Sequence, residues 1–377
     1  MVEKQYIWVR NIALIIILCN IVYFRFPFAP IYWRVAMLLL GGYVFFHVRL
    51  DKITRFEVFG LSFLAMNLIY FVVGSVWLPN PYQTQLGNTI FCIMSLFVFC
   101  RVGSRGLVTV KFITISAILL VLASIPRYYY DMETILDTHE NLDSATISIS
   151  TLFMTILPMA LIIRNKFISL PFLFVCISFI ISSGKRGNAL AAVIPILLFM
   201  ILYVNNNRRR IFDYFIIIVA FIFTYRYAEN LIIGSEFLQQ RIEMTLEGND
   251  SNRSIIYSNC WNAWYNSKSF VPFMFGYGWD GTLRVIGVRA HNDWLELLVN
   301  HGLIGASLYL LLLLSLLSYL FKVKTLQERF IVLAVFSIWL FKSLYSMGYT
   351  EEYLALIFIP LGYVFTNKSR NGNNNEY

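Results

Sequence analysis

The sequence contains few charged residues for its length. Only 14% of its 377 residues are charged and 58% are hydrophobic, whereas a soluble domain carries roughly a quarter charged residues. The mean hydropathy is +0.66, and apolar runs close to the ~20 residues that cross a bilayer recur along the chain. This composition excludes a soluble domain and indicates a polytopic membrane protein. The first apolar segment lacks a small-residue cleavage site, so it is predicted to be a span.

The residues that usually bind metals are also scarce. The chain has five cysteines without CxxC spacing and four histidines without an HExxH motif. On a single helix His291 and His301 would lie about 15 Å apart, too far to share a metal ion. Glycine-rich phosphate loops are absent as well. The sequence therefore predicts no disulfide framework, no metal site and no cofactor.

Hydropathy predicts an all-α fold, a polytopic helical bundle of about twelve transmembrane helices. Residues 1–227 hold the first nine helices and residues 291–366 the last three. Residues 228–290 form a long, partly helical outer loop, and residues 367–377 form a polar tail that is predicted to be disordered. The predicted spans are 7–24, 31–48, 57–78, 86–100, 107–125, 146–163, 167–183, 188–204, 211–227, 292–321, 330–347 and 352–366.

The excess of basic residues predicts the orientation. The chain has 30 Lys and Arg against 21 Asp and Glu, a balance that could suggest a nucleic-acid partner. Many of these basic residues, however, lie in short loops such as NNNRRR and KVKTLQER, which the positive-inside rule places in the cytoplasm. Both termini are therefore predicted to lie in the cytoplasm and the long loop on the opposite side of the membrane. The positive net charge is explained by this topology, so no nucleic-acid partner is predicted.

Two outer segments are longer than ordinary connections, which favours a functional role. Residues 126–145 form a predicted acidic, tyrosine-rich loop. In residues 228–290 a helix is predicted to begin near Arg253, with residues 250–252 as candidate caps and the proline and glycines of VPFMFGYGWDG ending it. Helical spacing would place Arg253 on one face with Tyr257, Trp261 and Trp264. Such a helix either covers a cavity or lies in the membrane interface as an aromatic belt.

The stretch RAHNDWLELLVNHGLIG places His291 at the outer lip of a span. Neutral imidazole can accept a proton near pH 7, since its ordinary pKa is about 6.5. The alternative is that this stretch merely caps the helix, with Asn292 or Asp293 satisfying free amides. By position alone the cap interpretation is slightly favoured.

The stretch SSGKRGNALAA places Lys185 and Arg186 at an outer helix junction, against the positive-inside bias. Basic residues beside a helix N-terminus can bind an anion, because amides point outward there and a guanidinium grips two oxygens. The two side chains could equally be anchors that reach the interface. Other outer arginines favour an anionic ligand, namely Arg127, Arg241, Arg253, Arg284 and Arg289.

Together, these features resemble the O-antigen ligase/polymerase superfamily. The resemblance rests on the Ser-Gly-x-Arg-Gly stretch that opens a span, on the arginine ahead of a Trp-bearing helix and FGYGWDG, and on HNDWLELLVNHGLIG. It implies a GT-C-like helical membrane protein with His291, Arg186 and Arg253 as functional residues. Two departures from the family's pattern are Lys185, where a small polar residue is common, and Asn300-His301, which replaces an often acidic position.

The resemblance implies glycosyl transfer from an undecaprenyl-diphosphate-linked oligosaccharide to a glycan acceptor. His291 would be the catalytic base, and the diphosphate would be bound by Arg186, Arg253, Lys185 and Arg289. Glu296 would point about 140° away from His291 at 100° per residue, so it is interpreted as a packing residue or a residue that supports the site from behind, not as the base. Candidate sugar contacts are Trp261, Trp264, Trp279, Trp294 and Asn292, although each tryptophan alone is more typical of an interface anchor.

Three functions remain open at this point. The leading one is an O-antigen or surface polysaccharide polymerase that acts at the outer face of the bacterial inner membrane. A ligase that transfers the glycan to lipid A core or another acceptor would use the same donor and site. A flippase for the lipid-linked oligosaccharide is the rival of another class, but transporters usually show internal repeats and midplane charges, which are not evident here. The expected partners are the donor, the acceptor, the lipid bilayer and, as a candidate, a chain-length regulator protein.

Overall fold

The computed structural model describes residues 2–22, 29–47, 53–77, 83–138, 149–205, 210–234, 252–267 and 269–373, with 239 and 242–243. Within this part of the chain the regular elements are helices and no strand occurs, which confirms the predicted all-helical class. The helices are α1 (Val2–Val22), α2 (Ala29–His47), α3 (Arg55–Trp77), α4 (Gln83–Ser104), α5 (Val110–Thr138), α6 (Ser150–Ile156), α7 (Lys166–Ser182), α8 (Arg186–Asn205), α9 (Arg210–Ile233), α10 (Arg253–Tyr265), α11 (Phe270–Phe275), α12 (Gly281–Ile286), α13 (Asp293–Leu317), α14 (Leu326–Tyr345) and α15 (Phe358–Asn373). Segments of 3-10 helix follow α6 and α13 and precede α15.

Several of these helices could cross a membrane, as the hydropathy of the sequence predicts. By length and composition, the spans Lys4–Val22, Arg55–Gly74, Gln85–Ser104, Val110–Glu133, Arg186–Asn205 and Asp293–Phe321 qualify. Shorter apolar helices lie at Ile31–His47, Ser150–Leu161, Lys166–Ser182 and Glu352–Thr366. The protein is therefore a helical membrane protein, and the total of twelve spans stays a prediction.

The helix α4 lies at the centre of the bundle, where 78% of its apolar segment is buried. It packs against α1, α2, α3 and α15. Gly103 of α4 allows the closest of these approaches, because a Cβ there would collide with the backbone of Gly362. Small residues at such crossings let helices in a membrane pack closely without a hydrophobic driving force. The buried ion pair between Glu57 and Arg101, with 2.6 Å between Oε1 and Nε, ties α3 to the same helix.

The helix α13 is broken at Gly302, where the backbone has φ 65 and ψ −163. The span predicted over residues 292–321 is present as the candidate span Asp293–Phe321, but its helix is interrupted at this glycine. The break leaves carbonyl groups of α13 without helical hydrogen-bond donors. Backbone amides of the loop after α11 donate to these carbonyls instead. Tyr277 donates its amide to the oxygen of Val299 at 2.8 Å, and Gly278 donates to that of Asn300 at 2.9 Å. The loop after α11 is thereby fixed to the helix at Tyr277 and Gly278, since buried backbone groups must be paired.

Other boundaries also differ from those predicted from the sequence. The helix α5 continues to Thr138, so residues 126–138 are helical rather than loop. In this part Tyr128 is buried against Phe153 and Phe179. Residues 139–148 lie outside the described part. The helix at Arg253 is confirmed, but it ends at Tyr265, and Pro272 lies within α11. Asn252 precedes it in a left-handed conformation without a side-chain cap, and residues 250 and 251 are not described. In the predicted tail, residues 367–373 belong to α15.

Gly302→Ala is expected to destabilise the protein more than Gly287→Ala. Both glycines have positive φ, which costs an alanine roughly 1–2 kcal/mol, and the values are 65 and 85. At Gly302 a Cβ would also collide with the backbone of Met274, whereas at Gly287 it would meet nothing within 4 Å. The measurement is thermal unfolding in detergent, with Gly42→Ala as an open helical control. Equal losses at Gly302 and Gly287 would show that the close approach of α11 and α13 contributes no stability.

Candidate functional site

His291 lies in the segment between α12 and α13, with its side chain exposed and its backbone in the left-handed region at φ 50. The cap of α13 is its neighbour Asn292, whose Oδ1 accepts from the amide of Leu295 at 3.1 Å. The Nδ2 of Asn292 donates to the oxygen of Leu344 on α14 at 2.8 Å. Both ends of the Asn292 amide are thus engaged within the protein, which argues against the predicted sugar contact. Because Asn292 performs the capping, the imidazole of His291 is available for another role.

The charges of three cations act on His291: Arg253 on α10, Lys185 in the turn between α7 and α8, and Arg289 two residues earlier on the same segment. Burial lowers the pKa of His291 below its ordinary value of 6.5, and the charges of Arg253, Arg289 and Lys185 lower it further. The structure thus brings together the predicted base and three of the four predicted diphosphate ligands. Because partial burial and these charges both lower the pKa of His291, the neutral imidazole, which is the form that can accept a proton, is favoured at pH 7.

The lysine of this group, Lys185, lies in the turn between α7 and α8, where its amide donates to Ser183 Oγ at 3.3 Å. Burial lowers its pKa to about 8, and the nearby cations Lys342 and Arg253 act in the same direction, whereas Glu351 opposes them. A lysine with such a pKa carries most of its charge at pH 7 and would gain stability from an added anion.

Lys342, near the end of α14, is a member of this cluster that the sequence analysis missed. Its side chain is 2% exposed, and its Nζ lies 3.5 Å from Glu351 Oε2, 3.4 Å from Ser346 Oγ and 3.5 Å from Thr151 Oγ1. A lysine at the outer end of a predicted span, followed by the acidic pair in YTEEY, was the available signal.

Asp293 fixes the segment after α14 to the start of α13. The carboxylate is fully buried and accepts from the hydroxyl of Tyr309 at 2.6 Å, from the amide of Gly348 at 2.7 Å and from that of Tyr349 at 3.2 Å. Satisfied in this way, it holds the residues that carry Glu351 against the residues that carry His291. Its role is structural, in line with a buried carboxylate whose acceptors are all occupied.

Arg289 braces the backbone in front of His291. Its guanidinium pairs with Asp280 at 3.2 Å and with Glu296 at 3.7 Å. Glu296 is also buried, and it accepts from Thr282 Oγ1 at 2.6 Å and from the amide of Ala290 at 2.8 Å. Since two carboxylates already neutralise Arg289, a diphosphate would have to compete with them for this guanidinium.

Two of the other predicted diphosphate ligands are not neutralised by carboxylates of the described residues in the way that Arg289 is. Among the described residues, neither Lys185 nor Arg253 forms an ion pair with a carboxylate. Arg253 donates to the oxygen of Tyr345 at 3.3 Å. Arg186 begins α8 directly after Lys185, although it is not among the groups that act on His291. The two unbalanced charges beside a neutral imidazole are the feature that favours an anionic ligand.

The four tryptophans predicted to contact sugar occupy different environments. Trp264 is buried and stacks on Phe273 with 4.8 Å between ring centroids. Trp279 is buried as well, and Trp294 is half-buried, with its Nε1 donating to a serine of α14. Trp261 alone of the four is exposed, at 47%. The face predicted for α10 is therefore split between a buried and an exposed side, because α10 packs on α13, and Trp261 has the surface that a sugar ring could stack on.

His301, whose role the sequence left open, lies behind the break in α13. The ring is 1% exposed and packs against Tyr70 at 4.5 Å and Trp279 at 6.3 Å between centroids, and neither nitrogen has a hydrogen-bond partner. It is therefore a packing residue separated from the exposed imidazole of His291. Across the described chain, no cluster of three His, Cys, Asp or Glu side chains is arranged to hold a metal ion.

A family comparison agrees with these motifs. The family model described as O-antigen ligase matches residues 171–310, which include SSGKRGNALAA and the His291 stretch. This match confirms the resemblance to the O-antigen ligase/polymerase superfamily that the sequence predicted. No curated protein matches the chain. Lys342 and Glu351 follow the matched range.

Asp293→Asn is expected to destabilise the protein by about 1–3 kcal/mol, because an amide cannot accept all three hydrogen bonds that the buried carboxylate accepts. Tyr309→Phe, which removes one of the three, should cost less. Thermal unfolding in detergent measures both effects, and Glu133→Gln on the exposed surface of α5 is the matched control. If Asp293→Asn unfolds at the same temperature as Glu133→Gln, the hydrogen bonds of Asp293 that join α13 to the segment after α14 do not stabilise the protein.

Proposed function

We propose that this protein is a polymerase that joins undecaprenyl-diphosphate-linked oligosaccharide repeat units of an O-antigen or related surface polysaccharide. The observation that carries the proposal is a neutral, exposed imidazole beside Lys185 and Arg253, two cations that form no ion pair with a carboxylate of the described residues. A glycosyl donor with a diphosphate leaving group requires both features: a base for the acceptor and positive charge for the leaving group. The family match supports the same class of enzyme.

In the proposed reaction an acceptor hydroxyl attacks the anomeric carbon of the donor sugar. His291 takes the hydroxyl proton as the new glycosidic bond forms, a role typically worth 10²–10⁴-fold in rate. The bond between the anomeric carbon and the diphosphate oxygen breaks, and its electron pair leaves with undecaprenyl diphosphate. Lys185 and Arg253 stabilise the negative charge that grows on this leaving group, with Arg186 as a further ligand. The chemistry uses no metal ion and no cofactor.

The proposal also fixes the place of the reaction. Twelve spans with both termini in the cytoplasm would put the His291 segment at the periplasmic face of the inner membrane, where lipid-linked repeat units are presented. The orientation follows from the positive-inside bias of the basic loops. A chain-length regulator protein is a further proposed partner, because a polymerase alone does not set the length of its product.

A ligase is the second candidate, because the family is described by that activity and would use the same donor, base and cations. A flippase is less well supported, since the charged cluster lies at helix ends and in loops rather than in the middle of the spans.

Deletion of the gene, followed by gel analysis of surface glycan, tests the proposal. We expect a single repeat unit on the acceptor, because polymerisation alone would be lost. Accumulation of lipid-linked polymer would instead identify a ligase, and intermediates trapped on the cytoplasmic face would identify a flippase. Complementation with His291→Ala should reproduce the deletion pattern, whereas His47→Ala, an exposed histidine far along the chain in α2, should restore long glycan. Long glycan from a stably inserted His291→Ala protein would remove the assigned base.

The pH profile of kcat/KM should have two limbs in a reconstituted assay. Activity should rise with pH through the lowered pKa of His291, since only the neutral imidazole accepts a proton. It should fall above the pKa of Lys185, about 8, as the lysine loses its charge. Lys185→Arg should remove the alkaline limb, and Arg253→Gln should move the acid limb to higher pH, because one cation that lowers the pKa of His291 is lost.

The comparison is with Lys324→Gln, an exposed lysine between α13 and α14, which should leave both limbs in place. An alkaline limb that persists in Lys185→Arg would contradict the assignment of Lys185 to the leaving group. An acid limb unmoved in Arg253→Gln would contradict the coupling between Arg253 and His291.

A further inference from the structure

A groove lies between α1 and the first turns of α5. Its volume is about 450 Å³. Polar residues line one part of it and aliphatic or aromatic residues the rest, and none of the lining residues is acidic. They are Arg10, Asn11, Leu14, Ile15, Leu18, Thr109, Lys111, Phe112, Ile115 and Leu119.

The polar end of the groove contains an arginine that the protein itself holds in place. Arg10 donates from Nη1 to the oxygen of Leu107 at 2.7 Å, and from Nε and Nη2 to Asn11 Oδ1 at 3.1 and 2.9 Å. A guanidinium has five N–H donors, so these three bonds leave two donors for a ligand. Lys111, exposed in the first turn of α5, adds a second positive charge. An anionic group bound here would meet the two remaining N–H groups of a guanidinium that is held in place and the ammonium of Lys111.

The apolar part of the groove runs along both helices away from this charged end. Leu14 and Leu18 follow Arg10 at helical spacing on α1, and Ile115 and Leu119 follow Lys111 on α5. On each helix the last apolar residue of the groove lies eight positions after the basic residue, a distance of about 12 Å at 1.5 Å per residue. That length approaches the ~15 Å of hydrocarbon in one leaflet. Ile115 and Leu119 are 45% and 39% exposed, so the groove opens toward the lipid.

We propose that this groove binds an anionic glycerophospholipid, with its phosphate at Arg10 and Lys111 and one acyl chain along the apolar walls. The charge of the two basic residues selects the headgroup, and the length of the walls matches one leaflet. A peptide partner fits poorly, because an extended backbone in this position would leave its amides unpaired in hydrocarbon.

The groove is separate from the site at His291 and does not depend on the proposed function. The start of α4 is tied to the segment after α14, since Asn88 donates to the oxygen of Thr350 at 2.8 Å. Ser104, the last residue of α4, lies sixteen positions after Asn88, which is about 24 Å along the helix axis. Arg10 contacts Leu107 in the turn that follows Ser104. The lipid headgroup would therefore bind at the opposite end of the bundle from His291.

Native mass spectrometry of the delipidated full-length protein tests the proposal. Titration with phosphatidylglycerol and with phosphatidylethanolamine of the same acyl chains should show one lipid bound with a preference for phosphatidylglycerol on the order of tenfold, since each basic group near an anionic lipid contributes several-fold. The double variant Arg10→Gln/Lys111→Gln should lose that preference. The matched control, Lys322→Gln/Lys324→Gln, removes two exposed lysines between α13 and α14 and should retain it.

A second variant, Ile115→Trp, fills the apolar part of the groove and leaves both charges in place. It should weaken the first bound phosphatidylglycerol, which surface electrostatics alone would not do. No headgroup preference in the wild type, the same preference in Arg10→Gln/Lys111→Gln, or undiminished binding in Ile115→Trp would each overturn the proposal. Tighter binding of a polyprenyl phosphate than of phosphatidylglycerol would also overturn it, because the occupant would then be a different lipid.

Discussion

The break of α13 at Gly302 is the constraint on which the candidate site depends. A helix interrupted among apolar neighbours leaves carbonyl groups that cost several kcal/mol each when nothing pairs with them. Here the amides of Tyr277 and Gly278 pair with the carbonyls of Val299 and Asn300, and the glycine at position 276 allows the two backbones to touch. The loop after α11 is consequently a fixed part of the bundle. Because that loop continues into Arg289 and His291, the same contact that satisfies the break also positions the candidate base.

Charge balance within the site separates cations that support the fold from cations that can bind a ligand. Arg289 pairs with Asp280 and Glu296, and Lys342 with Glu351, so these positive charges are already compensated. Lys185 and Arg253 are held close enough to lower the pKa of His291 without carboxylate partners among the described residues. Cations placed close together repel one another, and an arrangement of this kind gains stability when an anion binds between them. The structure thus favours a ligand with concentrated negative charge.

The sequence predicted the chemistry of this region better than its geometry. The motifs around Lys185 and His291 were visible because basic and polar residues at the outer ends of apolar helices stand out against hydropathy. The family match over residues 171–310 covers both motifs, while the roles of the individual residues stay predictions. The break at Gly302 was not visible, since a hydropathy window averages over a single residue whose backbone is left-handed. Lys342 was overlooked because a lysine near a helix end ordinarily reaches the interface, whereas its burial against Glu351 is set by tertiary contacts.

The backbone of His291 supports the assignment of function from a different direction. A residue with a Cβ at φ 50 is strained, and strain of this kind persists only where flanking contacts impose it. Both flanks are fixed: the amide of Ala290 donates to buried Glu296, and Asn292 caps α13 while reaching across to α14. A glycine would relieve the strain at position 291 and an asparagine would tolerate it, so stability alone gives no reason for an imidazole there. The contacts fix the backbone that carries an exposed imidazole, whose pKa is lowered by partial burial and by the charges of Arg253 and Lys185, an arrangement in line with the transfer from a diphosphate donor proposed above.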